Sequence, residues 1–187
     1  MSLTINIHNL TFAPDWAKAL TAAADQPAAE AQAIHPIATR PAPGEVWPGQ
    51  GGIYIGDFRA QAGRLYGLIV APEEDIGRAA WGPEGERDLS DWDGLGNTRR
   101  LRNECPAAKL AADYTRDGHS DFYLPARREL NLASANAADL FGTESWYWSS
   151  TPYSNGYAWA VDFEDGYTDR DTRRSEFRVR PFRRFIY

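Results

Sequence analysis

The sequence is short of the features that usually announce chemistry. Of its 187 residues one is a cysteine, Cys105, so no intrachain disulfide can form and the fold must stand on packing alone. A lone thiol of this kind reads as a small buried hydrophobe before it reads as a nucleophile. Positive charge is not in excess: 20 Lys and Arg face 26 Asp and Glu, a net charge of −6. Bulk electrostatics therefore give no reason to expect affinity for nucleic acid. No run approaches the roughly 20 apolar residues of a membrane helix. The opening, MSLTINIHNL, has neither a basic n-region nor an apolar h-region. The chain reads as made in the cytoplasm without a signal peptide and not inserted in a membrane.

What is present instead is aromatic. The chain holds 7 Trp, 9 Tyr and 8 Phe, and they crowd into Trp146–Tyr167, WYWSSTPYSNGYAWAVDFEDGY. Small polar residues lie between them: Ser149, Ser150, Thr151, Ser154 and Asn155. No nucleophile–base pair, metal cage or phosphate loop is apparent there. Tyr and Trp supply contact area at low entropic cost, and Ser, Gly and Asn supply adaptable hydrogen bonds, so this mixture suits a recognition surface. The competing reading is that the rings fill a core, and for Trp148, Trp159 and Phe163 it is the better one.

Composition divides the chain near residue 43. Residues 1–43 are Ala-rich and Gly-poor. Leu3, Ile5 and Ile7 alternate as in a strand, a helix-prone run follows Pro14, and Pro36, Pro41 and Pro43 punctuate the end. This reads as a docking or oligomerisation arm, because an alternating apolar strand is costly to leave unpaired. From Gly44 onward the text is rich in Gly, Trp and Tyr. A short strand is expected over 53–55, with 56–63 as the connection to a buried strand over 65–71. Residues 73–100 read as loop. Asn103 is expected to cap a helix over 105–114. A second helix is expected over 126–135, with Leu130 and Leu132 buried and Arg127, Arg128 and Glu129 wet. Trp159, Val161 and Phe163 then alternate, Asp165-Gly166 signals a hairpin, and Phe177 and Val179 suggest one last strand. The order predicts an α+β domain over 44–187.

These pieces resemble the Lcl C-terminal-like domain family, a branch of the C-type lectin fold. The resemblance rests on Trp47-Pro48-Gly49-Gln50-Gly51-Gly52-Ile53-Tyr54, Leu68–Ala71, Asp121–Leu130, Tyr147-Trp148-Ser149-Ser150-Thr151, Ala158-Trp159 and Arg178-Val179-Arg180-Pro181, in the family's order. It implies a C-type lectin-like fold with two helices on mixed antiparallel sheets, in which the first and last strands pair, preceded by the small N-terminal arm. It further implies the receptor-binding tip of a phage tail fibre or a similar adhesin. Such a protein would be carried on the virion and would recognise a bacterial surface receptor, protein or glycan. It would be a homo-oligomer, trimer favoured, joined to other tail-fibre proteins through the arm. In similar domains the Trp-Ser-Ser and Arg-Val-Arg runs belong to the scaffold and the residues between them bind. Carried over by position, the ligand-binding candidates are Tyr153, Ser154, Asn155, Tyr157, Tyr167, Asp169, Arg170 and Arg173.

Other chemistries are less favoured. The calcium-binding Glu-Pro-Asn and Trp-Asn-Asp runs of metal-dependent lectins do not occur, and Asp91/Asp93 and Asp162/Glu164/Asp165 read as solvated turns; neither metal nor cofactor is expected. His119, Ser120 and Asp121 are consecutive, but catalytic groups are recognised by mutual geometry and adjacent residues rarely face one another; the run reads as a turn, and no enzyme is expected. Seven Arg lie between Thr168 and Tyr187, and stacking or carboxylate pairing is their expected purpose rather than nucleic-acid binding. A structural fibre component that never touches a host stands as the alternative to a receptor-binding protein.

Overall fold

Glycine-marked turns and β-branched or aromatic runs build two sheets. A computed structural model of the chain describes residues 40–72 and 76–187. The strand expected over 3–7 and the helix expected after Pro14 lie outside the described residues. Within the unit Arg40–Tyr187, the first sheet runs β1 (Val46–Trp47), β2 (Gly52–Arg59), β3 (Leu65–Val70) and β9 (Phe182–Ile186), all antiparallel neighbours in that order. The second runs β4 (Arg78–Ala80), β8 (Glu176–Arg178), β5 (Tyr147–Pro152), β6 (Tyr157–Val161) and β7 (Thr168–Thr172). Its β5–β8 pair is parallel and the others antiparallel. Three helices lie between in sequence: α1 (Gly94–Leu101), α2 (Pro106–Asp113) and α3 (Arg127–Ala137). The fold is α+β.

Several expectations change. The last strand β9 pairs with β3, not with the first described strand. The strand expected to stop at residue 55 continues to Arg59, because Gly56 (φ 130°) sits at a bulge where the register shifts and the strand bends without ending. The connection is the shorter Ala60–Arg64 turn, closed by Ala60 N–H to the Arg64 carbonyl at 2.8 Å. The helix expected to be capped by Asn103 begins after Cys105, with Pro106 in its first turn. A third helix, α1, stands where loop was expected. Its sequence, GLGNTRRL, hides an apolar face because its buried positions include Asn97 and Thr98. Asn97 donates to the Ser90 carbonyl (2.7 Å) and to Ser150 Oγ (3.1 Å), and Thr98 Oγ1 accepts from Leu124 N–H at 3.0 Å. Asp93 caps the helix by accepting from Gly96 N–H at 2.9 Å.

Two cores follow. In one, Ile53, Ile55, Leu68, Val70 and Phe182 of the first sheet meet Leu130, Ala133 and Ala137 of α3, and Phe141 stacks on Phe163 at 3.8 Å. In the other, Trp81 and Trp148 pack on Leu101, on Ala107, Ala108 and Ala111 of α2, and on Ala158, Ala160 and Val179. Both indoles bond to carbonyls, Trp81 to Ser149 (2.8 Å) and Trp148 to Ala79 (3.0 Å). Trp148 and Phe163 are therefore core, as expected, whereas Trp159 is only partly covered.

Glu129 was expected to be wet and is fully buried against Tyr66 and Tyr123 of the first core. One carboxylate oxygen accepts from the Gly94 and Ala126 N–H groups (3.1 and 2.8 Å). The other accepts from Tyr66, Tyr123 and Arg184 (2.8, 3.0 and 3.0 Å). Gly94 is dictated by this carboxylate, since a Cβ there would stand 2.4 Å from Glu129 Oε2 and 2.5 Å from the Ala126 nitrogen. Gly94→Ala is accordingly expected to cost about 3 kcal/mol, at the upper end for overpacking, read as a lowered urea midpoint with unchanged slope.

Candidate functional site

The period-two alternation of β6 sorts its side chains. Ala158 and Ala160 enter the second core, while Tyr157 and Trp159 face outward. Across the register Trp159 stands opposite Arg170 and Tyr157 opposite Thr172. The result is a strip of two touching rings with a cation over each. The Arg127 guanidinium lies over Trp159 (4.6 Å), Tyr153 meets Trp159 edge-on (5.1 Å), and Arg170 lies over Tyr153 (4.8 Å). Arg127 is held from behind by Asp91 at 2.8 Å. Tyr153 and Tyr157 are 49% and 47% exposed, so these rings are surface, not core.

The strip borders a cleft of about 740 Å³, within the size range of ligand sites. The tip Tyr153-Ser154-Asn155 forms one wall and the loop 86–89 another. Arg173 lies at its base and differs from the other candidates. It is 1% exposed, its guanidinium lies 4.4 Å over Trp81, and it donates to the carbonyls of Pro83, Gly85, Ser154 and Tyr157 (2.9, 3.0, 2.6 and 3.3 Å). Burial first, and Arg87 second, pull this guanidinium below the usual arginine value. Its side chain ties the Ser154 wall to the Pro83–Gly85 segment that leads into the 86–89 loop, and has little surface to offer a ligand.

Tyr167 and Asp169 lie apart from the cleft. Tyr167, 58% exposed, meets Trp146 edge-on at 6.2 Å. Asp169 lines a hollow of about 90 Å³ with Trp146, Asp171 and Arg170. The Asp162 N–H bonds to the Tyr167 carbonyl at 2.8 Å, and antiparallel alternation then turns the N–H groups of Arg170 and Thr172 to the open edge of β7. Asp169 and Asp171 accept from those N–H groups at 2.8 and 2.6 Å. The carboxylates blunt an edge strand that would otherwise template pairing with another chain. Asp162 and Asp165 likewise accept from the N–H groups of Glu164 and Tyr167.

Arg127, Asp91 and the 86–89 loop were not among the candidates, and nothing in their local sequence marks them as neighbours of Trp159. Among the described residues no group of three or more His, Cys, Asp or Glu is placed to hold a metal, and no helix is long and apolar enough to cross a membrane. His119 sits in the turn Arg116–His119, its ring nitrogen 2.9 Å from the Gly49 carbonyl, while Asp121 pairs with Arg183 at 2.6 Å.

A family model, the Lcl C-terminal domain, matches residues 80–183. The chain belongs to the Lcl C-terminal domain family. The match takes in all three described helices, β5 to β8, the whole cleft and every candidate residue, but not β1 to β3. Two of the resembling pieces, Trp47–Tyr54 and Leu68–Ala71, thus fall outside it. Membership of this Lcl family supports a receptor-binding or adhesin-like role. No curated protein was found to match the chain. The Lcl motif Trp148-Ser149-Ser150 is buried scaffold: Ser149 Oγ donates to the Trp159 carbonyl (2.8 Å) and Ser150 Oγ to that of Pro125 (3.2 Å). In the Arg-Val-Arg run, Arg180 is buried and donates to the carbonyls of Ala71 and Leu140 (2.8 and 2.7 Å), and Arg178 pairs with Glu144 at 2.7 Å.

Proposed function

We propose that this chain is a receptor-binding protein, the tip of a phage tail fibre or a similar adhesin, which recognises a bacterial surface protein or glycan through the Tyr153–Arg170 strip and its cleft. The observation that carries the reading is the half-exposed pair Tyr153 and Tyr157 on a strip of rings and guanidinium groups beside a 740 Å³ cleft. Such rings bury large area at low entropic cost, and Ser154 and Asn155 add hydrogen bonds that adjust to a partner. In this reading the chain works as a homo-oligomer, a trimer, attached to other fibre proteins through residues 1–43. Repeated copies raise avidity for a weakly held receptor without new contacts.

The test is adsorption. The full chain, wild type and Tyr153→Ala/Tyr157→Ala, is incubated with candidate host cells and with phage competing for attachment. Wild-type protein is expected to bind and to block attachment, and the folded double variant to lose at least about tenfold in affinity, or 1.4 kcal/mol. Binding that persists in the folded double variant would remove the strip from the contact. Failure of the wild-type oligomer to bind any host that the particle infects would leave a structural fibre component.

A further inference from the structure

A second cavity, of about 340 Å³, lies between the Ala60–Arg64 turn and the Ser90–Asp93 segment. Its apolar walls are Ala60, Ala62, Trp92 and Ile186, and Tyr66 and Arg184 line it as well. Arg184 is nearly buried, with its side chain 14% exposed. Its Nε donates to Tyr123 Oη at 3.1 Å, and Nη2 to Asp93 and Glu129 at 2.7 and 3.0 Å. Its Nη1 has no acceptor among the described residues. Gln61, Arg64, Ser90 and Asp93 complete the lining, so the cavity pairs an apolar wall with a polar one, and Arg184 is a fixed donor in it with capacity to spare.

The charges around that donor restrict what it can receive. Burial pushes the Asp93 carboxyl up, but the Gly96 N–H and the Arg184 guanidinium more than offset it and hold the group below the usual range. Arg184 therefore already faces two carboxyl groups, Asp93 and Glu129, and a third anion would meet repulsion there. A neutral acceptor, such as an amide carbonyl, fits. A sugar is disfavoured, since it needs an open ring face for stacking and the half-buried Trp92 already has one face taken. Arg128 lies over that ring at 4.1 Å and Phe58 packs beside it at 6.0 Å.

We propose that this cavity is an anchor pocket for a protein partner, taking one large apolar side chain while the adjacent backbone carbonyl accepts from Arg184 Nη1. Anchors of this kind, one apolar side chain in a preformed pocket with a satisfied polar group beside it, carry most of the energy of many interfaces. The pocket is distinct from the cleft beside Tyr153, with which it shares no lining residue.

The test uses the ¹⁵N-labelled full chain, N-acetyl-L-leucinamide as probe and methyl β-galactoside as the contrast. The expected result is a saturable shift of the Trp92 indole and Ala62 amide resonances by the amide, with a dissociation constant on the order of 1–10 mM, as suits a fragment of this size. Ala62→Trp, which fills the mouth from an exposed turn, is expected to weaken it at least about tenfold. Ile186→Ser, which removes an exposed apolar wall, serves if the first variant does not fold. Tyr153→Ala is expected to leave the titration unchanged, which separates this pocket from the adsorption surface. Absence of a saturable shift, the same shifts from the galactoside, or an unaltered titration in the folded wall variants would overturn the assignment.

Discussion

Glu129→Ala is expected to lower stability by about 3–5 kcal/mol, the cost of removing one partner from a buried ion pair. For a domain of this length that corresponds to a melting temperature about 10 °C lower. The carboxylate receives five donors: the Gly94 N–H at the start of α1, the Ala126 N–H before α3, Tyr66 of β3, Tyr123, and Arg184 of β9. Alanine removes the acceptor of all five; Arg184 keeps Asp93, but the two backbone N–H groups and Tyr123 are left unpaired, and buried donors lose the full desolvation energy when unpaired. Glu129→Gln keeps the shape but replaces one oxygen with an NH₂ group. Either flip points it at donors, the two backbone N–H groups or the two hydroxyls and the guanidinium, so a loss of roughly half the alanine value is expected. The contrast is Arg128→Ala on the neighbouring exposed position, which should change stability by less than about 1 kcal/mol. Paired urea melts decide it. An alanine variant within about 1 kcal/mol of wild type would mean that the network holds no structural weight.

How much of this was readable beforehand follows from which signals are local. The Asp165-Gly166 turn was legible, since φ of 76° at Gly166 is a local demand, whereas the sides of β6 were not: Trp159 was expected in the core and faces outward, because the small Ala158 and Ala160 are the residues that fit against α2 and the tryptophans of the second core. The turn expected over 118–121 lies two residues earlier, at Arg116–His119, where Asp117 and Gly118 take positive φ. The burial of Glu129 was not legible, because the donors that make a buried carboxylate tolerable come from segments up to 63 residues away. Helix α1 was missed because Asn97 and Thr98 occupy its covered side, so its sequence carries no apolar stripe. The candidate site divides along the same line. Tyr157 is exposed because β6 alternates, and Tyr153 because it stands in the turn between β5 and β6. Arg127 joins them only because α3 packs beside β6, and Asp169 caps its own edge strand only because β7 ends its sheet. Arg173 was expected to bind on the strength of the resemblance, yet tertiary packing places it beneath the surface.

Arg173 carries the second large effect. Its guanidinium donates to four carbonyls, two in the Pro83–Gly85 wall and two in the Ser154–Tyr157 wall. Its own carbonyl accepts from Trp81 N–H at 2.9 Å, and Gly85 N–H bonds to the Asn155 carbonyl at 2.9 Å. Arg173→Ala removes charged donors, each contributing about 1.5–3 kcal/mol, and opens a cavity beneath the cleft. Partial relaxation of the loops reduces the sum, and a net loss of about 3–4 kcal/mol is expected. Arg173→Lys keeps the charge but not the planar fork, and three rotatable donors cannot span both walls, so most of the loss should remain. Two readouts distinguish this from a ligand-contact role. Thermal melts should show the destabilisation in the absence of any receptor, and limited proteolysis should cut first at the freed 83–87 loop. Arg170→Ala, on the exposed end of the strip, is expected to do neither while weakening adsorption. If Arg173→Ala instead melted like wild type and lost only adsorption, the residue would be a contact residue after all, and the cleft would open to its base when a receptor binds.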